Sequence, residues 1–518
     1  MAGEVITAHG ESIDDDFLFL CVGSAVVRHE KCKSFGVSFC PALSLHYLCP
    51  VNSRRIGYMK KKWFLIISLV CCWLSVDAMA QTVNAGNALR SYLQRNEPAY
   101  AWEVKDSLKQ GDVCIYRVKL TSQVWQQIPW VHELDVVIPN RVLHNEALLH
   151  ITGGSIAPEA SEPNYKNWDE RMTQVMVRIA SETHAIAAVV RQVPRQPLYD
   201  GRYEDEIISL TFHRFLKEGN YELPLLFPMV KSAVKAMDAV EELAASRVGL
   251  KKGKMKFVLN GASKRGWTTW LCGASGDKRI VALAPMVIDI LNMPVNVPYQ
   301  ASLYGGYSEE INDYVNLGLT GAISSGEGRA LVEMVDPYSY RRLLKMPKMI
   351  FMGTNDPYWT ADAVKNYIDD ISGHNQLVYV PNAAHNLGDG VMAMDALEAF
   401  FIQTLQGKKY VAFDCQARQM GRSVELSVRT TPRRVVKVRV WEATSATRDF
   451  RKSVFEEREV GVPSDGRLKT SVQFPEEGYK AFYVMAEYLE PLMGRSYRVC
   501  SRMFTAGPQE WYDQPYCP

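Results

Sequence analysis

The chain has 518 residues, enough for one large core and a smaller domain. A charged fraction of 22% and a formal net charge of +2 imply neither nucleic acid nor an anionic membrane surface as a partner. Its apolar and aromatic contents, 47% and 10%, are those of a globular protein.

Met59-Lys60-Lys61-Lys62, the apolar run Trp63 to Val70 and Ala78-Met79-Ala80 form the basic start, short apolar core and small-residue cleavage site of a secretory signal. Cleavage after Ala80 leaves Gln81 as the mature N-terminus of an exported protein, periplasmic or extracellular. The run is interrupted and too short to span a bilayer comfortably, so no stable membrane span is expected after cleavage. A signal of this kind belongs at a start, which makes residues 1–58 a spurious or unstructured extension; they hold four of the eleven cysteines. The competing reading is a translated cytoplasmic extension with Trp63 to Leu74 as an uncleaved anchor. Past the cleavage site stand Cys114, Cys272, Cys415, Cys500 and Cys517, with no CxxC and no Cys/His metal spacing. Neither a metal nor an organic cofactor is expected, and the spacing assigns no disulfide.

From Gln81 to about Gln110 the pattern predicts an amphipathic helix and a loop. Cys114–Leu120 and Glu133–Pro139 alternate apolar with polar, as strands of an antiparallel hairpin do. Ala147–Ile151 is more continuously apolar and predicts a central strand. It ends in Thr152-Gly153-Gly154-Ser155, where glycines let backbone N–H groups turn inward; Gly153 and Gly154 are candidates for an oxyanion site. Ala185–Val190 is a further buried strand opening into a Pro-rich loop. Helices follow over Glu204–Leu216 and Pro228–Arg247, the proline suiting a first turn.

Lys256–Asn260 is the next strand, and Gly261-Ala262-Ser263-Lys264-Arg265-Gly266 carries the small residues of a sharp strand-to-helix turn with Ser263 at its apex. This is a nucleophile elbow with one departure, Arg265 where G-x-S-x-G has its second glycine. Val281–Asp289 predicts another strand. Residues 291–342 are aromatic and irregular, the place for a lid. Lys348–Gly353 is a buried strand whose turn presents Asp356, and after one helix-length insertion Leu377–Pro381 is a short strand with His385 just past it. Ser, acid and His at the ends of successive strands is the chain order of the α/β-hydrolase fold. The candidate catalytic residues are therefore Ser263, Asp356 and His385, with Asp289 the alternative acid and the N–H groups of Lys264 and Gly153 or Gly154 as oxyanion donors. Lys264 and Arg265 side chains are expected as surface or lid-pairing charges, and His150 as a residue that orients the oxyanion loop or packs.

A helix from about Val391 to Leu405 closes the hydrolase domain, 81–408. Beyond it Ser423–Val428, Val435–Trp441 and Ala481–Tyr488 are alternating strands without helices, which predicts a small all-β sandwich domain over 409–518, immunoglobulin-like in general form.

Gly261 to Trp270, Phe227 to Asp238, Val287 to Asn292, Tyr304 to Ser308 and Gly353 to Trp359 together resemble the PhoPQ-activated pathogenicity-related protein family, from roughly Leu89 to the C-terminus. The resemblance implies an exported protein of hydrolase fold and makes the Lys-Arg-Gly after the serine a family trait; it supplies no substrate. Two functions remain open: an exported serine hydrolase acting on an ester, amide or peptide bond of a small-molecule or peptide substrate, and a non-catalytic binding or signalling protein on the same scaffold.

Overall fold

The computed structural model describes residues 82–165, 170–407, 409–462 and 464–517. The leader expected at 59–80 and the extension before it lie outside them. In chain order the elements are α1 (Ala88–Gln94), β1 (Ala101–Gln110), β2 (Val113–Trp125), β3 (Ile128–Pro139), β4 (Glu146–Ile151), α2 (Arg171–Thr183), β5 (Ile186–Val190), α3 (Glu204–Glu218), α4 (Leu226–Val248), β6 (Lys256–Ala262), α5 (Lys264–Ala274) and β7 (Ile280–Met286). Then come α6 (Met293–Tyr304), α7 (Asn312–Val315), α8 (Leu319–Ser325), α9 (Arg329–Val335), β8 (Lys348–Gly353), β9 (Asn375–Val380) and α10 (Val391–Leu405). The rest is strand: β10 (Phe413–Met420), β11 (Ser423–Thr430), β12 (Val435–Ser445), β13 (Glu456–Glu459), β14 (Arg467–Gln473), β15 (Tyr479–Glu490), β16 (Arg495–Cys500) and β17 (Phe504–Ala506).

The main sheet runs β1-β2-β3-β5-β4-β6-β7-β8-β9. From β5 to β9 every pairing is parallel, while β1, β2 and β3 are antiparallel. Parallel strands covered on both faces must be apolar at consecutive positions, which is why these segments are legible as unbroken hydrophobic runs. Their alternation still sorts side chains between two cores. Leu149 and Ile151 of β4 and Leu259 of β6 join residues of α4 and α5. Leu148 and Val258 join residues of α2 and α10 on the other face. The reversal of strand order at β4 leaves the ends of β4 and β6 side by side, the crevice in which open α/β sheets bind ligands.

The structure departs from the sequence reading at three elements of the hydrolase part. Residues 101–110 are an edge strand, not helix or loop; only the partner's register, with a bulge between Val104 and Asp106, makes that polar segment extended. Helix α2 buries Thr173, Met176, Ile179, Ala180 and Thr183 at helical spacing, a stripe that short polar residues disguise. Between Pro357 and Leu377 stand only single 3-10 turns, at Ala363–Asn366 and Ile368–Asp370, where a helix is expected.

The C-terminal segment is all-β, with one sheet of β10-β11-β14 and a second group that carries the central sheet onward through β16-β15-β12-β13. The join is antiparallel at Cys500 and Leu377. Val424 and Leu426 of the small sheet share a core with Val440, Val484 and Phe400 of α10. An immunoglobulin-like designation does not follow from this strand order. Among the described residues the five cysteines are free, and no helix is long and apolar enough to cross a membrane.

A buried ionic group fastens the antiparallel strands to the parallel ones. Arg117 on β2 donates to both oxygens of Asp135 on β3 at 2.8 and 2.9 Å, and Arg191 after β5 donates to Asp135 at 3.0 Å and to Glu133 at 3.1 Å. Removing one partner of such a set strands the others in a low-dielectric interior. Asp135→Ala should therefore cost about 3–5 kcal/mol in urea denaturation, whereas truncating an exposed pair such as Lys469–Glu425 should cost under about 1 kcal/mol.

Candidate active site

Strand β6 ends in a turn so tight that Ser263 takes φ 57° and ψ −126°, left-handed for a residue that is not glycine. Such a conformation costs about 1–3 kcal/mol and persists only where the surroundings over-determine it. Two close approaches do so. A Cβ on Gly261 would stand 2.7 Å from the Arg265 carbonyl oxygen, and one on Gly266 would stand 2.6 Å from the Met286 oxygen of β7. The second approach explains the departure from the simple elbow pattern: the residue that meets the neighbouring strand is 266, so position 265 is free to carry a long side chain. Ser263 N–H donates to Met286 O at 2.9 Å, and Trp267 N–H to Ser263 O at 2.9 Å, which starts α5 at once. Lys264 is the first residue of that helix, and its N–H lies among the donors that have no intrahelical acceptor.

The Lys264 and Arg265 side chains are buried rather than surface charges. Arg265 donates from Nη1 and Nη2 to the two oxygens of Glu204 at 2.6 and 2.7 Å, and from Nε to Val193 O at 2.5 Å. Lys264 Nζ bridges Glu204 and Asp205 at 3.0 and 2.9 Å. Burial alone would raise the Glu204 carboxyl, yet hydrogen bonds and charge from Arg265, together with the Lys264 charge, hold it down at about 2. No sequence pattern marks Glu204, because only the tertiary fold brings the start of α3 over the elbow.

The glycines after β4 sit within this group. A Cβ on Gly153 would fall 2.4 Å from Arg265 Nη2, so that position is small to admit the guanidinium. Gly154, at φ +122°, offers its carbonyl to Gln196 Nε2 at 3.1 Å, and the same amide donates to Glu204 at 2.6 Å. His150 is buried; its Nδ1–H donates to Asn260 Oδ1 at 2.5 Å, and Asn260 Nδ2 donates to Ala284 O. Burial pushes the His150 imidazole down to about 4, so at neutral pH it is an uncharged tie between β4 and β6.

Asp356 and His385 meet. Nδ1 of His385 lies 2.8 Å from Asp356 Oδ2, while Asp356 Oδ1 accepts from Tyr358 N–H at 2.9 Å. The aspartate thus both shapes its own turn and orients the imidazole. With a carboxylate at Nδ1 the proton sits there, leaving Nε2 as a base, and Nε2 has no hydrogen-bond partner among the described residues. The ring of Tyr358 lies over the imidazole, centroids 4.2 Å apart. Asp289, the alternative acid, is buried beyond the end of β7 with Oδ1 unpartnered, and the imidazole bonds Asp356 instead.

Ser263 and Tyr358 line one small pocket, with a cavity volume of about 50 Å³. Its other walls are Trp267, Ile288 and Ile290 from the scaffold and Met293, Val297, Ile311 and Ile323 from the α6–α8 cap. Most polar groups on its rim are already engaged: Tyr314 donates to Asp205 at 2.8 Å, Asp205 holds Lys264, and Trp267 Nε1 donates to Val335 O, while the Thr320 hydroxyl also lines the pocket. Among the described residues no group of His, Cys, Asp and Glu is arranged to hold a metal.

The model of the PhoPQ-activated pathogenicity-related protein family matches residues 89–451. The chain belongs to this family. Among characterised relatives it is similar to autocrine proliferation repressor protein A of Dictyostelium discoideum, 29% identical over 77% of this chain and 86% of that one. Among solved structures it is similar to acetyl xylan esterase 1 from Thermoanaerobacterium sp. JW/SL YS485, with a TM-score of 0.43 and 14% identity over 62% of this chain and 92% of that one. An S-formylglutathione hydrolase from Agrobacterium tumefaciens gives 0.38 and 12%, over 58% and 99%.

Two expectations follow. Gly266→Ala should cost about 1–3 kcal/mol in urea denaturation, because the Met286 carbonyl cannot move without dislodging β7. Burial, reinforced by the Asp356 charge, raises the Asp289 carboxyl to about 7. The folded chain then holds that proton more tightly than the unfolded one. The stability this gives is complete below about pH 4 and is lost as pH rises through about 7. Asp289→Asn should therefore melt with the wild type at pH 4 and above it at pH 8, read by calorimetry across that range.

Proposed function

We propose that the protein is an exported serine hydrolase that cleaves an ester, amide or peptide bond whose acyl side is apolar. In this reading Ser263 Oγ attacks the carbonyl carbon while His385 Nε2 takes its proton. The tetrahedral oxyanion rests on the N–H of Lys264 and that of Gly153 or Gly154. Collapse expels the leaving group, protonated by the imidazolium, and water repeats the sequence on the acyl-enzyme. Asp356 fixes the tautomer and stabilises the imidazolium. No cofactor enters the scheme. Export rests on the sequence from Met59 to Ala80.

The observation that carries the reading is the 2.8 Å contact of His385 with Asp356 and the unpartnered Nε2, on a ring covered by a wall residue of the pocket that Ser263 lines. The apolar acyl group is supported by that pocket's isoleucines, methionine and valine and by the engagement of Asp205, Lys264, Tyr314 and Trp267 in hydrogen bonds and ion pairs of their own. A sugar hydroxyl or charged acyl group would find few free partners there and would be desolvated at a cost. The second reading, a signalling protein whose chemistry is idle, is favoured by the name of the Dictyostelium relative, a repressor of proliferation acting in autocrine fashion.

A fluorophosphonate should label the mature protein at Ser263 and leave Ser263→Ala unlabelled. Across acetyl, butyryl and hexanoyl nitrophenyl esters kcat/KM should rise about three- to fourfold per methylene until the pocket is full. An intact fold without labelling supports the signalling reading; labelling with acetyl preferred removes the apolar-acyl assignment alone.

A further inference from the structure

The acid and the histidine stand on two separate turns, after β8 and after β9, and each turn is tied to one loop of the C-terminal strands. Asn355, immediately before Asp356, donates from Nδ2 to the carbonyls of Phe450 at 3.0 Å, Arg451 at 3.3 Å and Ser453 at 2.7 Å. Asn382, three residues before His385, donates to Phe455 O at 2.9 Å and accepts from Phe455 N–H at 2.7 Å. Its amide pairs with that backbone as a strand neighbour would, and its own backbone is left-handed, φ 55°.

The two turns also meet directly. Thr354 Oγ1 donates to Asn355 Oδ1 at 2.8 Å and accepts from Asn382 N–H at 2.8 Å, while Asn355 N–H donates to Ala383 O at 3.0 Å. A Cβ on Gly353 would stand 2.4 Å from the carbonyl oxygens of both Ala383 and Ala384. The loop that receives the asparagines is itself anchored: the Arg451 guanidinium lies 3.9 Å from the centroid of Tyr304 on α6, and Arg448 donates to Tyr299 at 2.5 Å.

We propose that Asn355 and Asn382 are positioning residues, and that the 450–455 loop sets the separation of Asp356 and His385. The physical reason is reach. A turn at a strand end is fixed by its own strand on one side only, whereas a productive hydrogen bond demands agreement to within about 0.5 Å. A displacement of about 1 Å costs on the order of a hundredfold in rate. Both asparagine side chains grip backbone atoms of one loop anchored on α6, so the two turns share a single external reference. The C-terminal strands are on this account part of the catalytic apparatus. The inference rests on the serine hydrolase reading for its kinetic readout but not for its spectroscopic one.

The test compares the full-length mature chain with Asn355→Ala, Asn382→Ala and their combination. A proton on His385 Nδ1 bonded to a carboxylate resonates at low field in one-dimensional proton NMR, and His385→Gln identifies it by its loss. In the folded variants that resonance should shift upfield or disappear by exchange. Ester hydrolysis should lose about tenfold or more in kcat with KM held within about twofold, and the acid limb of the pH profile should move. Asn355→Ser and Asn382→Ser stay neutral and keep one hydroxyl donor, so they supply folded protein if the alanine variants do not; the same changes, smaller in degree, are expected. An unmoved resonance in folded variants, with kcat within about twofold of wild type, overturns the proposal. If the wild type neither turns over esters nor reacts with fluorophosphonate, the hydrolase reading fails while the resonance still decides this inference.

Discussion

A carbonyl oxygen of β7 occupies the space where residue 266 would otherwise carry a side chain, and much of the site follows from that contact. Because Met286 O approaches so closely, α5 must begin against the sheet with no intervening loop. The chain can make that start only by holding Ser263 left-handed, with its N–H spent on the same carbonyl oxygen. The serine hydroxyl then stands at the rim of the sheet at the start of α5, where unpaired N–H groups and the positive end of the helix dipole favour developing negative charge. The strain is tolerable because β6 and β7 are buried on both faces and do not yield.

The charges behind the elbow answer a second constraint. Burying a lysine and an arginine is expensive unless each finds a carboxylate, and Glu204 and Asp205 supply them from the first turn of α3. The grouping does more than neutralise. Arg265 passes over Gly153, Gln196 links Glu204 to the Gly154 carbonyl, and Asp205 receives the hydroxyl of Tyr314 from the cap. One ionic cluster therefore holds the loop after β4, the start of α3 and the cap in a single arrangement. It also engages Lys264, Asp205 and Tyr314 on the pocket rim, beside a cavity walled mostly by apolar side chains.

The C-terminal strands are continuous with the central sheet at β9, and their 450–455 loop reaches the turns that carry Asp356 and His385. A separate module attached by a linker would leave the strand-end turns to their own stiffness. Here Asn355 and Asn382 meet main-chain atoms, a kind of contact that survives changes in the loop's side chains, since every non-proline residue presents the same N–H and C=O.

The amino-acid sequence alone determined the parallel strands and the order of Ser263, Asp356 and His385 along them. Strands covered on both faces must be apolar without interruption, and a polar residue just past such a run can only stand at the sheet's rim. It carried the family through Gly261 to Trp270 and the other short stretches. It did not reveal β1, whose polar residues are extended only because β2 pairs with them, nor α2, whose buried stripe is partly threonine and alanine. Tertiary structure alone decided that the carboxyl bonding His385 is Asp356 and not Asp289, that Arg265 turns inward to Glu204, and that distant loop 450–455 braces the site. Each of these depends on where a side chain meets a partner tens or hundreds of residues away, and hydrophobic periodicity records which face of an element is buried, never what lies against it.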